Sequence, residues 1–174
     1  MGYAGGESAN PTYHNLGGHT ETMEVDFDPT KLSFREVLEL FWAGHNPFAR
    51  PWSRQYMNAL FWHNPEQRAW AEESASQVSK ANVGAEVTTK ILALDEFHLA
   101  EDYHQKYILR EHPEFESALL EVYPDLVEFT NSTATARLNG YLAGYGSREL
   151  LAQDLPLLGL SAVAQERLSK VAPL

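Results

Sequence analysis

Between residues 22 and 42 the apolar side chains change their spacing, and this change constrains the fold more than any other feature of the chain. Thr22-Met23-Glu24-Val25-Asp26-Phe27 alternates polar and apolar, the period of a strand with one face in a core and the other in water. Asp28-Pro29 closes the run, because proline has no N–H to give to a ladder. A helix start follows at once. Ser33 with Glu36 three residues on is a capping box, and Leu32 and Val37 occupy the staple positions on either side of it. Phe34, Val37, Leu38, Phe41 and Trp42 then recur at helical spacing. A strand that must bury one face, next to a helix that must bury one stripe, predicts an α+β domain with helices packed on a sheet.

The rest of the chain extends this pattern. Residues 45–56, HNPFARPWSRQY, carry two prolines and no period and read as a loop leading into the short apolar run Ala59-Leu60-Phe61-Trp62. Asn64-Pro65-Glu66-Gln67 opens a second helix, which runs to about Ala81 before Asn82 and Gly84 end it. Glu86–Leu94 is rich in Val, Thr and Ile and reads as a strand, and Ala100–Arg110 as another helix ahead of Pro113. Beyond 113 the pattern is helical only: PEFESALLEVY, then DLVEFTNSTATARLNGYLAGYG, then short segments near 148–153 and 161–171. The expected organisation is a mixed α/β part over 1–112 and a helical tail over 113–174. With 44% hydrophobic residues, the 174-residue chain has enough material for a core.

Charge and cysteine content narrow the function. The net charge of −11 argues against nucleic acid or an anionic membrane as partner, since both need a basic footprint. The most apolar tract, residues 155–164, is interrupted by Gly159 and Ser161 and is far shorter than the ~20 residues a spanning helix needs. No basic start followed by an apolar stretch marks a secretory signal, so the expected location is cytoplasmic or organellar. There is no cysteine, hence no disulfide, no thiolate zinc site and no thiol nucleophile in these residues.

The side chains that can do chemistry gather near the start. The opening stretch reads as a glycine-rich turn, and Tyr13, His14, His19 and Glu21 follow on it and at the entry to the first strand. A phenol can donate to an oxygen, and a partly desolvated glutamate can hold a proton and release it, so together they suit a polar X=O group. Three other readings stand beside this one. Tyr13 caps a turn while the rest face solvent; or His19-x-Glu21, completed by His14 or His45, holds a metal; or His98, Glu101 and His104 form a second cluster on a helix surface. Trp42, Phe48, Trp52, Phe61 and Trp62 line a pocket or belong to the core.

A series of short motifs resembles peptide methionine sulfoxide reductase A. They are Gly2-Tyr3-Ala4-Gly5-Gly6, Asn10-Pro11-Thr12-Tyr13, Gly18-His19-Thr20-Glu21, Val25-Asp26-Phe27-Asp28-Pro29, Phe41-Trp42, His45-Asn46-Pro47, Gln55-Tyr56 and Ala100–Tyr107, all in family order. The resemblance implies a ferredoxin-related α+β core and thiol-dependent reduction of the S epimer of methionine sulfoxide, free or in proteins, as a repair reaction under oxidative stress. In that family a cysteine thiolate attacks the sulfoxide sulfur while two tyrosines and a glutamate hold its oxygen. By motif these are Tyr13, Tyr56 and Glu21, with Glu21 supplying the proton. It also implies thioredoxin or another thiol as external reductant, and no bound cofactor or metal.

The chain departs from the family pattern in two places. The segment ARPWSR before Gln55-Tyr56 is shorter than usual and lacks the family's aspartate. The Gly-Cys-Phe-Trp motif with the nucleophile belongs ahead of Gly2, and no recycling cysteine follows. The expectation is therefore a family domain truncated at its N-terminus, without its first strand and helix and inactive as written. The alternative is a non-catalytic relative that binds methionine sulfoxide or a partner.

Overall fold

A computed structural model describes residues 1–174, which form two compact units, Met1–Ala100 and Glu101–Leu174. The architecture is α+β. In the first unit the chain order is β1 (Gly2–Ala4), β2 (Thr20–Thr22), α1 (Phe34–Ala43), β3 (Ala59–Trp62), α2 (Pro65–Ala81), β4 (Lys90–Ala93) and β5 (Phe97–Leu99). An antiparallel sheet has the order β2-β1-β5, and β3 pairs in parallel with β4.

The helices form where local hydrogen bonds dictate. Ser33 caps α1, with Glu36 N–H donating to its Oγ at 3.3 Å and Ser33 N–H donating to the Glu36 carboxylate at 2.7 Å. Asn64 caps α2 by accepting from Gln67 N–H at 2.9 Å, with Pro65 in the first turn. Leu38, Leu60 and Ala71 make the buried centre between these helices and β3, and Trp42, Trp62 and Trp70 pack around it.

The strands are shorter than the sequence predicts, and one lies where a turn is expected. Gly2–Ala4 is the central strand of its sheet, with Tyr3 and Ala4 fully buried. A β-carbon on Gly2 would lie 2.3 Å from the Phe97 ring, so glycine is what lets β5 approach. The alternating run 22–27 is in the ladder only at Thr22. The register ends at Gly2↔Thr22, so nothing pairs the residues that follow, and Met23 and Val25 stay exposed. Of Glu86–Leu94, only Lys90–Ala93 forms a ladder, because Thr88 gives its N–H to Pro47 O and its hydroxyl to Pro47 O and Ala49 O. Phe97–Leu99 is a strand that its three residues are too few to announce.

The second unit opens with a 3-10 turn at Asp102–His104 and continues with α3 (Tyr107–Arg110), α4 (Pro113–Val122), α5 (Leu126–Asn131), α6 (Thr133–Leu142), α7 (Arg148–Asp154) and α8 (Ala162–Val171). The helix expected over 100–110 is broken. Gln105 is extended and buried, Lys106 takes a left-handed φ of 52°, and Arg110 Nε donates to the Gln105 carbonyl at 2.8 Å. The long helical run after 125 also divides, at Ser132, which ends α5 and caps α6 through Oγ. Phe115, Leu119, Phe129, Leu138 and Leu168 form a core with no solvent exposure. No helix is long and apolar enough to cross a membrane.

One buried phenol gives this unit a pH dependence. Tyr141 O–H donates to Asp154 at 2.5 Å, and Arg137 pairs with the same carboxylate. Burial first, then the Asp154 bond and charge, push the Tyr141 phenol up to about 12. A group raised above its unfolded value of ~10 stabilises fully below that pH, and loses this contribution as pH rises through the folded value. Denaturant unfolding should therefore weaken by roughly 2 kcal/mol between pH 10 and 12, a step that Tyr141→Phe removes.

Candidate active site

Three separated stretches of the first unit meet at one end of β2. The loop from Gly5 to Gly18 is closed by His19, which is only 3% exposed. Gly6 N–H, able only to donate, meets His19 Nδ1 at 3.2 Å, so the ring proton sits on Nε2 and donates to Ser8 O at 2.9 Å. A β-carbon on Gly6 would lie 2.3 Å from His19 N, which reserves the position for glycine. At the tip of the loop Thr12 and Asn15 exchange backbone hydrogen bonds of 3.1 and 2.9 Å, presenting Tyr13 and His14 edge to face.

The segment before β3 is fastened to β2 by its main chain. Thr20 Oγ1 donates to Arg54 O at 3.0 Å and Glu21 N–H to Gln55 O at 3.1 Å, while Arg54 Nη2 donates to Gly5 O at 2.7 Å. These bonds bring Gln55 and Tyr56 alongside Glu21. Gln55 Nε2 donates to Glu21 Oε1 at 2.6 Å and to the Tyr56 hydroxyl at 2.9 Å. The Tyr56 hydroxyl is also hydrogen-bonded to Tyr13. That bond, followed by partial burial and the Glu21 charge, raises the Tyr56 phenol above its usual value, and the Gln55 donor works the other way. Tyr13 and Tyr56 keep 36% and 41% of their surface in solvent, so a ligand can reach both. In the segment before Gln55, Trp52 packs on Tyr56 with ring centres 5.0 Å apart and planes tilted by 35°, and Ser53 Oγ accepts Tyr56 N–H at 3.4 Å.

Beside Glu21 lies a groove of about 830 Å³ whose walls include Met23, Phe27, Phe41, Leu60 and Phe97. The arrangement links two phenols and a carboxyl group by hydrogen bonds, and of the three Glu21 is the one that lines the groove. It can accept a ligand oxygen and deliver a proton to it.

The other sequence candidates have different duties. His19 uses both ring nitrogens on the backbone, and His45 uses both of its own on Phe41 O and Thr89 Oγ1 at 2.7 and 2.9 Å. The metal reading thus loses two of its ligands to structural roles. His98 packs edge-on against His19, and His104 lies 3.9 Å from Glu101. Trp42 and Trp62 pack around the core, whereas Trp52 is 80% exposed. Gln55 belongs to this set by its hydrogen bonds, although sequence reasoning assigned a role only to Tyr56 of the Gln55-Tyr56 pair. Its signal was adjacency to Tyr56, but nothing local tells that it reaches Glu21.

The chain is similar to known proteins of one family. The family model described as "Peptide methionine sulfoxide reductase" matches residues 1–137. A peptide methionine sulfoxide reductase of Drosophila melanogaster is 40% identical over 167 residues, covering 95% of this chain and 67% of the relative. Peptide methionine sulfoxide reductase A5 of Arabidopsis thaliana is 34% identical, covering 82% of this chain and 57% of the relative. The MsrA protein of Methanosarcina acetivorans is 38% identical over 117 residues, covering 62% of each chain. The chain thus spans between 57% and 67% of the length of these relatives.

Proposed function

The chain belongs to the peptide methionine sulfoxide reductase family, and from that premise we propose that Tyr13, Glu21 and Tyr56 are the oxygen-binding side of a pocket for methionine (S)-sulfoxide in peptides or proteins. The observation that carries this reading is the hydrogen-bonded set linking Glu21, Gln55, Tyr56 and Tyr13 across 34 residues of sequence and more. A sulfoxide oxygen carries partial negative charge that grows as the S–O bond breaks. Two phenols and a carboxylic acid stabilise that charge only where it appears, which is what accelerates a reaction. Glu21 is the proton donor in this scheme and the tyrosines orient the oxygen.

The full reaction consumes two thiols. A thiolate attacks sulfur, the oxygen leaves with two protons as water, methionine is released and the thiols end as a disulfide. Thioredoxin is the proposed external reductant. The 174 residues contain no cysteine, and this favours a second reading for the chain taken by itself, namely methionine sulfoxide binding without turnover.

Isothermal calorimetry with N-acetylmethionine (S)-sulfoxide methylamide tests the pocket. Binding is expected, with weaker binding of the R epimer, whose methyl and oxygen exchange places. Absence of heat at millimolar ligand overturns the reading.

A further inference from the structure

We propose that Gln55 is the positioning residue of this site: its amide nitrogen locks Glu21 and Tyr56 to each other and, by occupying Glu21 Oε1, leaves Oε2 as the oxygen that carries the proton. The role of Glu21 as proton donor is taken from the reading above, but the lock itself rests on geometry alone.

Gln55 holds Glu21 twice. Its carbonyl accepts Glu21 N–H at 3.1 Å, fixing the main chain of β2 against residue 55. Its side chain then turns back to the carboxylate of the same residue at 2.6 Å. The partner identifies the amide atom, because an ionised carboxylate only accepts and so must face the nitrogen. That nitrogen has two hydrogens, and both are used, on Glu21 Oε1 and on the Tyr56 oxygen at 2.9 Å.

Two consequences follow from counting donors. Tyr56 accepts from Gln55, so its own hydrogen is directed to another partner, and Tyr13 is in place to take it. Glu21 Oε1 is already an acceptor, so a proton on the carboxyl group belongs on Oε2. The carboxyl group therefore has one held oxygen and one reactive oxygen, an arrangement that a freely rotating glutamate would lack. Holding a donor in one orientation is worth much of a catalytic or binding effect, since a displacement of an ångström already costs heavily.

The test uses the full 174-residue chain with tyrosines labelled at the ring carbon bearing oxygen, so that the phenol of Tyr56 is titrated by NMR. In Gln55→Leu the titration midpoint of Tyr56 is expected to rise, because a donor that steadies the phenolate has gone, and calorimetric affinity for N-acetylmethionine (S)-sulfoxide methylamide should fall about tenfold. Gln55→Glu places a second carboxyl group against Glu21. The pair then shares one proton on acidification, and that proton restores the contact between residues 55 and 21. Affinity lost in Gln55→Glu should return as pH falls, whereas in Gln55→Leu it should not, a contrast that a purely structural role would not produce.

An unmoved Tyr56 midpoint in Gln55→Leu, with unchanged circular dichroism, overturns the proposal even where the sulfoxide binds normally. A moved midpoint in a chain that binds no sulfoxide supports the lock while overturning the pocket on which the function was built.

Discussion

Supplied with a dithiol and a peptide bearing methionine (S)-sulfoxide, the 174-residue chain is expected to release methionine no faster than the dithiol does alone. The reason is electronic. Reducing a sulfoxide moves two electrons onto sulfur while the oxygen departs, and the electrons must come from an attacking atom in line with the S–O bond. In the proposed scheme Tyr13, Glu21 and Tyr56 bind the oxygen and protonate it, but a phenol and a carboxyl group are hard oxygen bases with no two-electron oxidation open to them under these conditions. The thiolate is the side chain suited to the attack and to later recycling by exchange, and these residues include none. Binding and turnover should therefore separate: calorimetric heat with the substrate analogue, background rates in the assay. Glu21→Gln should keep the background rate, and its amide oxygen can still accept from Gln55, so the NH2 group takes the other position, where it donates a hydrogen bond but has no proton to transfer. Turnover above the dithiol control by the chain alone would mean that some group here attacks sulfur.

How much of this was legible beforehand depends on the range of the interactions concerned. Ser33 with Glu36 and Asn64 with Gln67 are contacts within one helical turn, and both helices begin where those pairs stand. The strands Gly2–Ala4, Lys90–Ala93 and Phe97–Leu99 are three or four residues long. Their conformation is imposed by partners far away in sequence, so no local period declares them. Thr88 looks like a strand residue by type, yet it spends its N–H and hydroxyl on the 47–49 loop. The broken helix at 105–106 has the same origin, because burying Gln105 and bonding its carbonyl to Arg110 outweigh the helical preference of the sequence around them.

The site shows this contrast more sharply. Tyr13, Glu21 and Tyr56 were picked out by motif resemblance, while spacing alone favoured a plain turn with an ordinary strand-edge carboxylate and left a metal cluster of His19, Glu21 and His14 or His45 open. The structure distinguishes His19 from Glu21, two residues apart, by what faces them. His19 points inward to Gly6 and Ser8, and Glu21 points to Gln55 and the groove. A strand's alternation puts neighbours on opposite faces, but residues 19 and 21 share a parity. Burial of the loop by His19, rather than parity, sets them apart.

The largest stability effect should come from Phe129→Ala in the second unit. Phe129 has no solvent exposure and sits at the centre of the helical core, near Phe115, Leu119 and Leu138 in the same buried cluster. Truncating a buried phenylalanine to alanine costs about 3–5 kcal/mol, the lost transfer energy plus the cavity left behind. Here a further cost arises. The Arg110 guanidinium lies 5.6 Å over the ring, its Nη1 paired with Glu116 at 2.7 Å, while its Nη2 is buried without a hydrogen-bond partner. The ring face is the favourable surface that this nitrogen has, and alanine removes it. Against a stability of about 0.05–0.15 kcal/mol per residue, such a loss is a large share of what a unit of this size holds. Denaturant unfolding followed by helix dichroism should show the midpoint fall sharply, while Val163→Ala, 78% exposed on α8, shifts it by less than about 0.5 kcal/mol. The four tryptophans all lie at or before residue 70, so their emission reports the first unit separately. Helix dichroism comes from both units, with the larger share from α3 to α8, so Phe129→Ala should move the dichroism transition further than the tryptophan transition; equal shifts would mean that the two units unfold as one.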